Sequence, residues 1–352
     1  MKSINDVVKK ITAIGKKERK KTVFLIGNTI KVEDAKFYLT PVRNYGQVVL
    51  SGVIVYSEEI ATKIAKEVDG LVDYVFVDAE KKISDNHSIT GGPGNIERAV
   101  KEVIKKSSLI SYKSNDLTVD AADAFISEYY SKDIVGIGGK KIAIIGAGNI
   151  GSKLAQKLVE RGSKVYLYRR NRDKLNLIVR QINTIKSKYT TEKAFSSSSI
   201  MEACNEADIL IGATNGIPVI DASIINTLAI DSLVIDIGKG SISEEAIKKA
   251  NSRNLVVYRL SIESALEGKV VSLISTHDVL NQRTGRGFYH KIKVVSGGLL
   301  AQNDEIVVDD YRKPKLIYGV GNGYGDFMRI PGKKMEEKID LLNKILLKDN
   351  LD

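Results

Sequence analysis

The chain has one cysteine and three histidines in 352 residues. Cys204 alone cannot make an internal disulfide framework, and His87, His277 and His290 are scattered without the spacing of a metal site. No structural or catalytic zinc is expected. No apolar run approaches the ~18 to 20 residues of a membrane helix, and Met1-Lys2-Ser3-Ile4-Asn5-Asp6 lacks the apolar core of a signal peptide. These absences predict a cytoplasmic protein with no membrane partner. Internal repeats and long low-complexity tracts are missing too, Ser196 to Ser199 being only a short polar loop. Cys204 follows Ile200-Met201-Glu202-Ala203, a helix leading to a strand, so its thiol is expected to be buried and structural.

The composition is that of a folded protein, 43% hydrophobic, and the length predicts two or three domains. The net charge of +11 is unevenly placed: residues 1–21 hold eight Lys or Arg against two acids. That segment has no interleaved aromatics and no nucleic-acid motif, which favours a solvated basic helix over a polyanion contact. Nucleic acid is not the expected partner.

Residues 1–118 read as a small α/β domain, the expected substrate domain. Thr22-Val23-Phe24-Leu25-Ile26, then Val48-Val49-Leu50 to Val53-Ile54-Val55-Tyr56, then Tyr74-Val75-Phe76-Val77 carry strand patterns. A helix from Ser57 to Val68 puts Ile60, Ile64 and Val68 on one face, with Glu58 and Glu59 in the first turn. The run Thr90-Gly91-Gly92-Pro93-Gly94-Asn95 breaks structure and opens a helix at about Ile96, as a domain-edge turn or an anion loop. A helix from about Val119 to Tyr130 falls in a linker, 119–135. A nucleotide domain, 136–260, follows. The extension 261–352 shows short strands at Ile292 to Val295, Glu305 to Val308 and Lys315 to Tyr318, then a terminal helix with Met335, Ile339, Leu342, Ile345 and Leu346 on one face. The expected fold class is α/β: a doubly wound Rossmann domain, preceded by a smaller α/β domain and followed by a strand-and-helix extension.

The nucleotide domain rests on Gly146-Ala147-Gly148-Asn149-Ile150-Gly151, entered from the buried-strand run Lys141-Ile142-Ala143-Ile144-Ile145. Ile150, Leu154, Ala155, Leu158 and Val159 then recur at helical spacing, and Gly162 closes the helix. Gly146 makes the tight turn, Gly148 lets backbone approach the pyrophosphate, and Gly151 lets helix pack on strand, while the helix N-terminus offers unpaired amides. The second strand, Lys164-Val165-Tyr166-Leu167-Tyr168, ends in Arg169-Arg170-Asn171-Arg172. An acid there would grip a ribose 2′-hydroxyl; guanidinium groups bind a 2′-phosphate, so NADP is expected in preference to NAD. Further parallel strands at Asp208 to Ile211, Leu233 to Ile237 and Leu255 to Tyr258 complete the sheet. Two strand ends, Ala213-Thr214-Asn215-Gly216 and Gly238-Lys239-Gly240, place the nicotinamide ribose near Thr214 and the ring near Gly238.

Three motifs carry a family resemblance. Arg169-Arg170-Asn171-Arg172-Asp173-Lys174-Leu175 is similar to Asn-Arg-Thr-x-x-Lys-Ala, with the key arginine at Arg170. Ala207-Asp208-Ile209-Leu210-Ile211-Gly212-Ala213-Thr214 is similar to Ala-Asp-x-x-x-x-Ala-Thr, and Val234-Ile235-Asp236-Ile237-Gly238 is closer to a folate branch. On these, residues 118–260 resemble shikimate dehydrogenases and their methylenetetrahydrofolate dehydrogenase relatives. The resemblance implies an amino-terminal substrate domain, a homodimer, and a Lys and Asp pair in the substrate cleft. The nearest matches are Asp120, in Thr118-Val119-Asp120, and Lys82, 38 residues upstream, with Lys81 as its alternative. The family's Asn-Val-Thr-x-Pro-x-Lys is not present around Lys82. In the extension, His277, Asp278, Asn281, Arg283, Arg286, His290 and Lys291 form a polar set, with a glycine-rich run at 319–325 beyond; His277 is the catalytic candidate there.

The expected function is NADP-dependent hydride transfer to or from a small, anionic metabolite in an interdomain cleft, with a lysine moving the proton. A dinucleotide-sensing or polyanion-binding regulator is the alternative from another class. A folate-type or imine-reducing dehydrogenase is the alternative within the class, although Tyr56 and Lys63 lack the spacing of that branch's Tyr and Lys pair.

Overall fold

Strands Lys21–Asn28, Val48–Val55, Tyr74–Asp78 and Ser108–Tyr112 pair in parallel, and the first three are buried along almost their whole length. Continuous burial is the pattern of a sheet covered on both faces, here built from Phe24, Ile26, Val49, Val53, Val75 and Val77 with helices packed against it. The computed structural model that shows this describes residues 3–29, 37–83 and 94–349. Two short strands, Phe37–Leu39 and Arg43–Asn44, add antiparallel pairs to Val48–Val55. From Lys21–Asn28 the chain moves first to one side, to Val48–Val55, and then to the other, to Tyr74–Asp78. The order therefore reverses between Lys21–Asn28 and Tyr74–Asp78.

A second sheet holds six parallel strands in the order Val256–Arg259, Leu233–Asp236, Ile209–Gly212, Lys141–Ile145, Lys164–Tyr168, Ala194–Ser196. This is the doubly wound dinucleotide order, reversing between Lys141–Ile145 and Ile209–Gly212. The α/β fold class expected from the sequence is the one observed.

Between the sheets runs helix Ser114–Tyr129, which begins five residues before the expected Val119. The reason is local. Its cap residue Lys113 makes no side-chain cap, so the usual start signal is missing. Lys153 pairs with Asp116, Lys157 with Asp120 at 3.3 Å, and Arg161 holds Asp123 bidentately at 2.7 and 2.9 Å. Partners that advance together mean that Ser114–Tyr129 runs parallel to Asn149–Glu160, the helix that carries Lys153 and Lys157 and is capped by Arg161.

The chain divides into two compact units, 1–269 and 270–352. In the second, strands Gly285–Tyr289, Ile292–Ser296, Ile306–Val308 and Ile317–Val320 form one sheet in that order. Its core of Ile292, Val294, Ile306, Val308 and Val320 packs with Met335, Leu342 and Leu346 of helix Lys333–Asp349. Helix Glu263–Asp278 was not legible in the sequence, since Gly268 interrupts it and its apolar residues keep to no single stripe. Among the described residues, no helix is long and apolar enough to cross a membrane.

Candidate functional site

The crevice where the second sheet reverses is a cavity of about 420 Å³ lined by Gly146, Gly148, Arg169, Arg170, Thr214 and Asn215 among others. Gly146 has φ +111°, and a Cβ there would lie 2.5 Å from the Ala213 carbonyl oxygen. Gly151 is fixed by packing, its Cβ position being 2.2 Å from the Gly146 oxygen. Gly148 is different, for a Cβ there would meet nothing within 4 Å. The space in front of it is open to a ligand. Gly148 caps helix Asn149–Glu160 without a side-chain bond, and the first helical hydrogen bond runs from Ser152 N to Gly148 O at 2.9 Å. The amides of Asn149, Ile150 and Gly151 thus begin the helix unpaired, and its first turn carries no acid. Such a terminus accepts phosphate charge.

The two arginines after the second strand divide their work. Arg169 is half-buried and donates to the Ala147 carbonyl at 2.8 Å, bracing the glycine loop. Arg170 lines the cavity, is exposed, and makes no hydrogen bond or ion pair with the described residues. Arg172 donates to Ser198 O at 3.0 Å, and Asn171 caps the next helix through Lys174 N. Among the described residues that line the crevice, none is a carboxylate.

Across the crevice, the Thr214 hydroxyl bonds Ile217 O at 2.9 Å and the Ser241 hydroxyl at 2.8 Å. Its side chain is therefore committed to shaping the loop. A Cβ on Gly238 would lie 2.0 Å from Thr214 O, so the two strand ends are in close backbone contact. Buried Asp236 accepts from Gly240 N at 2.7 Å and Ser241 N at 3.2 Å, fixing that turn. Asp236 and Ser241 were not singled out from the sequence; the turn they organise was.

A second polar group gathers at the carboxyl ends of the first sheet. Lys82 is only 14% exposed; its ammonium lies 3.1 Å from the fully buried Asp78 and 2.8 Å from Glu80, and it also bonds Ser114. Asp78 accepts from Ser114 Oγ at 2.7 Å and Glu80 N at 3.0 Å. Asn28 Nδ2 donates to Glu80 O at 2.8 Å. Tyr112 ends the neighbouring strand, and burial, with Asp78 and Glu80 nearby, pushes its hydroxyl well above the ordinary tyrosine range. The sequence signal for Asn28, Asp78 and Tyr112 is their place at the carboxyl ends of strands, the same signal that marks Thr214 and Gly238 in the other sheet.

The structure does not bring Asp120 to Lys82. Asp120 is half-exposed and paired with Lys157, and lies six residues along the helix from the Ser114 that Lys82 touches. The lysine's carboxylates are Asp78 and Glu80 instead. His277 belongs to the unit 270–352, where Asn281 Nδ2 donates to its carbonyl at 2.8 Å. Lys81 is exposed. Of the glycine run at 90–95, residues 90–93 lie outside the described residues, as does His87. Asn95 N goes at 2.5 Å to the carboxylate of buried Glu58, an internal anion. Cys204 is fully buried and its thiol is pushed up to about 12 by that burial, so it offers no thiolate.

The helix register relates the two polar sites. Because Asp116 pairs with Lys153, Ser114 lies level with Gly151 to within about a turn of the parallel helices. The Lys82 cluster and the glycine loop thus open at the same end of the helix pair.

Comparison with known proteins bears on this geometry. A family model described as "NADP oxidoreductase coenzyme F420-dependent" matches residues 141–240. A glutamyl-tRNA reductase of Flavobacterium psychrophilum is 22% identical over 281 residues, 71% of this chain. The chain spans 65% of that relative's length. A dipicolinate synthase from Bacillus halodurans is similar at 15% identity and TM-score 0.36, over 73% of this chain and 98% of that one. L-Tryptophan dehydrogenase from Nostoc punctiforme is similar at 12% identity and TM-score 0.40, over 64% of this chain and 62% of that one. Residues 141–240, the span matched by the family model, form a Rossmann domain of the pyridine-nucleotide-binding kind.

Proposed function

We propose that the chain is an NADP-dependent oxidoreductase, shikimate dehydrogenase-like in plan, that moves a hydride between the nicotinamide and a small metabolite. The metabolite sits in the cleft onto which the carboxyl ends of both sheets open. Arg170 carries the NADP assignment: it lines the dinucleotide crevice at the position of an NAD-selective acid and has no protein partner among the described residues. The family model's description, of an oxidoreductase, and the relative's name, of a reductase, support hydride chemistry. Asn149, Ile150 and Gly151 hold the pyrophosphate by their amides, and Thr214 and Gly238 border the nicotinamide end. When bound, the dinucleotide supplies or takes the hydride. Lys82, at the substrate end, is the residue that moves the proton. Equilibrium titration with NADPH and NADH tests the reading: NADPH binds at least about tenfold tighter, as a charge-assisted phosphate contact requires. Equal affinity, or a preference for NADH, would sink it.

A second reading is a substrate joined to RNA, favoured by the relative's being a glutamyl-tRNA reductase and by exposed Lys9, Lys10, Lys16, Lys17 and Arg19 around helix Ile4–Glu18. The helix buries Ile4, Val8 and Ile11 in the first sheet's core, so its charge is best removed by Lys→Gln substitution, which spares the fold. Salt-sensitive retention on a polyanion column, lost in that variant, supports this reading; indifference to the substitutions removes it.

A further inference from the structure

The polar group at the first sheet has an acceptor left over. Asn28 is 5% exposed, and its Oδ1 has no hydrogen-bond partner among the described residues. Its orientation is set by Nδ2, which must donate to the Glu80 carbonyl. A buried acceptor left unpaired is destabilising, so the group is retained at a cost unless something donates to it. Glu80 uses Oε2 for Lys82 and Asn115 N, and no bond to its Oε1 is formed among the described residues. The Tyr112 hydroxyl lies beside Gly27, 3.2 Å from where a Cβ would stand, and is likewise unbonded among them. Asn28 and Glu80, joined through the Glu80 carbonyl, stand at the carboxyl ends of Lys21–Asn28 and Tyr74–Asp78, between which the strand order reverses, the position at which open α/β sheets bind ligands.

The charges give the ligand's sign. Asp78 and Glu80 carry two negative charges against the one positive charge of Lys82, whose hydrogens all go to Asp78, Glu80 and Ser114. An anion would meet two carboxylates and no free cation in this group. An alkylammonium would meet two unpaired acceptors and bring the group to neutrality.

We propose that this strand-end group is the substrate subsite and that it takes a protonated primary amine, whose N–H groups donate to Asn28 Oδ1 and Glu80 Oε1. The inference rests on the oxidoreductase reading in treating the occupant as substrate, and it replaces the anionic metabolite expected from the sequence. Binding of butylammonium, butanol and butyrate to the full chain, followed by ligand-observed saturation-transfer NMR, tests it. Butylammonium should bind about tenfold tighter than butyrate, the scale of one charge-assisted hydrogen bond. Glu80→Gln should erase most of that preference, and Lys82→Gln, which removes the competing cation, should increase it. Butyrate or butanol binding as well as butylammonium overturns the subsite, as does a preference that Glu80→Gln leaves intact. NADPH titration of the same samples separates the two claims. Amine selectivity without NADPH binding keeps the subsite and removes the dinucleotide reading; NADPH binding without amine selectivity does the reverse.

Discussion

Replacing each loop glycine by alanine should separate folding from ligand binding. At Gly146 the added Cβ would lie 2.5 Å from Ala213 O and 3.0 Å from Thr214 N, both rigid backbone, in a residue with φ +111°. Overpacking of this kind costs about 1–3 kcal/mol and a left-handed backbone about as much again, so Gly146→Ala should lose about 2–6 kcal/mol. At about 2–4 °C per kcal/mol the melting temperature falls by roughly 5–20 °C. Gly151→Ala meets Gly146 O at 2.2 Å but gains up to about 1 kcal/mol of helix propensity, which puts it in between. Gly148→Ala meets nothing within 4 Å and is a cap position, so its stability should change by about 1 kcal/mol or less. Its dinucleotide affinity should nonetheless fall about tenfold or more, because the methyl group stands where the pyrophosphate must approach the amides. Circular dichroism melts and NADPH fluorescence titrations read the two effects. A Gly148→Ala variant that melts like Gly146→Ala, or binds NADPH like the parent, refutes the assignment of the open space.

Arg161→Ala leaves the nearly buried Asp123 without its bidentate partner at 2.7 and 2.9 Å, and should cost about 1.5–3 kcal/mol in urea unfolding; no change would mean that the helix pair is not held there. Asp69 is pushed up by burial but held below the ordinary carboxylate range overall by the amides of Ser107, Lys106 and Lys105. A depressed carboxylate stabilises above its unfolded value near about 4 and loses that contribution as pH falls through the folded value, so Asp69→Asn should flatten the acid limb of the stability profile. An unaltered limb contradicts this. Cys204, its thiol raised to about 12, should resist a disulfide reagent at neutral pH until the protein is unfolded, and rapid labelling of the native chain would contradict its burial.

The dinucleotide crevice was legible because its parts are consecutive. Gly146 to Gly151 is one stretch of chain, and the flanking strand and helix patterns fix its conformation. Residue type alone did not divide Arg169 from Arg170, since only the fold turns one guanidinium onto Ala147 O and leaves the other in the crevice. The amino-terminal group was hidden for the opposite reason. Asn28, Asp78 and Ser114 come from separate segments, and their meeting depends on strand order rather than on any local pattern. Lys82 was found by spacing, but its carboxylates are near neighbours in sequence, Asp78 and Glu80, and the distant Asp120 packs against the next helix. The early start of helix Ser114–Tyr129 escaped notice because its first residue spends its hydroxyl on Asp78 and no cap announces it.

The most direct test of the NADP assignment is a binding cycle with two ligands and two proteins: NADPH and NADH, each titrated into the parent chain and Arg170→Ala. Loss of a guanidinium–phosphate contact worth about 1.5–3 kcal/mol should weaken NADPH about 10- to 150-fold, while NADH, which lacks the 2′-phosphate, changes by about twofold or less. If the two dinucleotides weaken equally, or neither does, Arg170 does not read the 2′-phosphate and the account of this crevice fails.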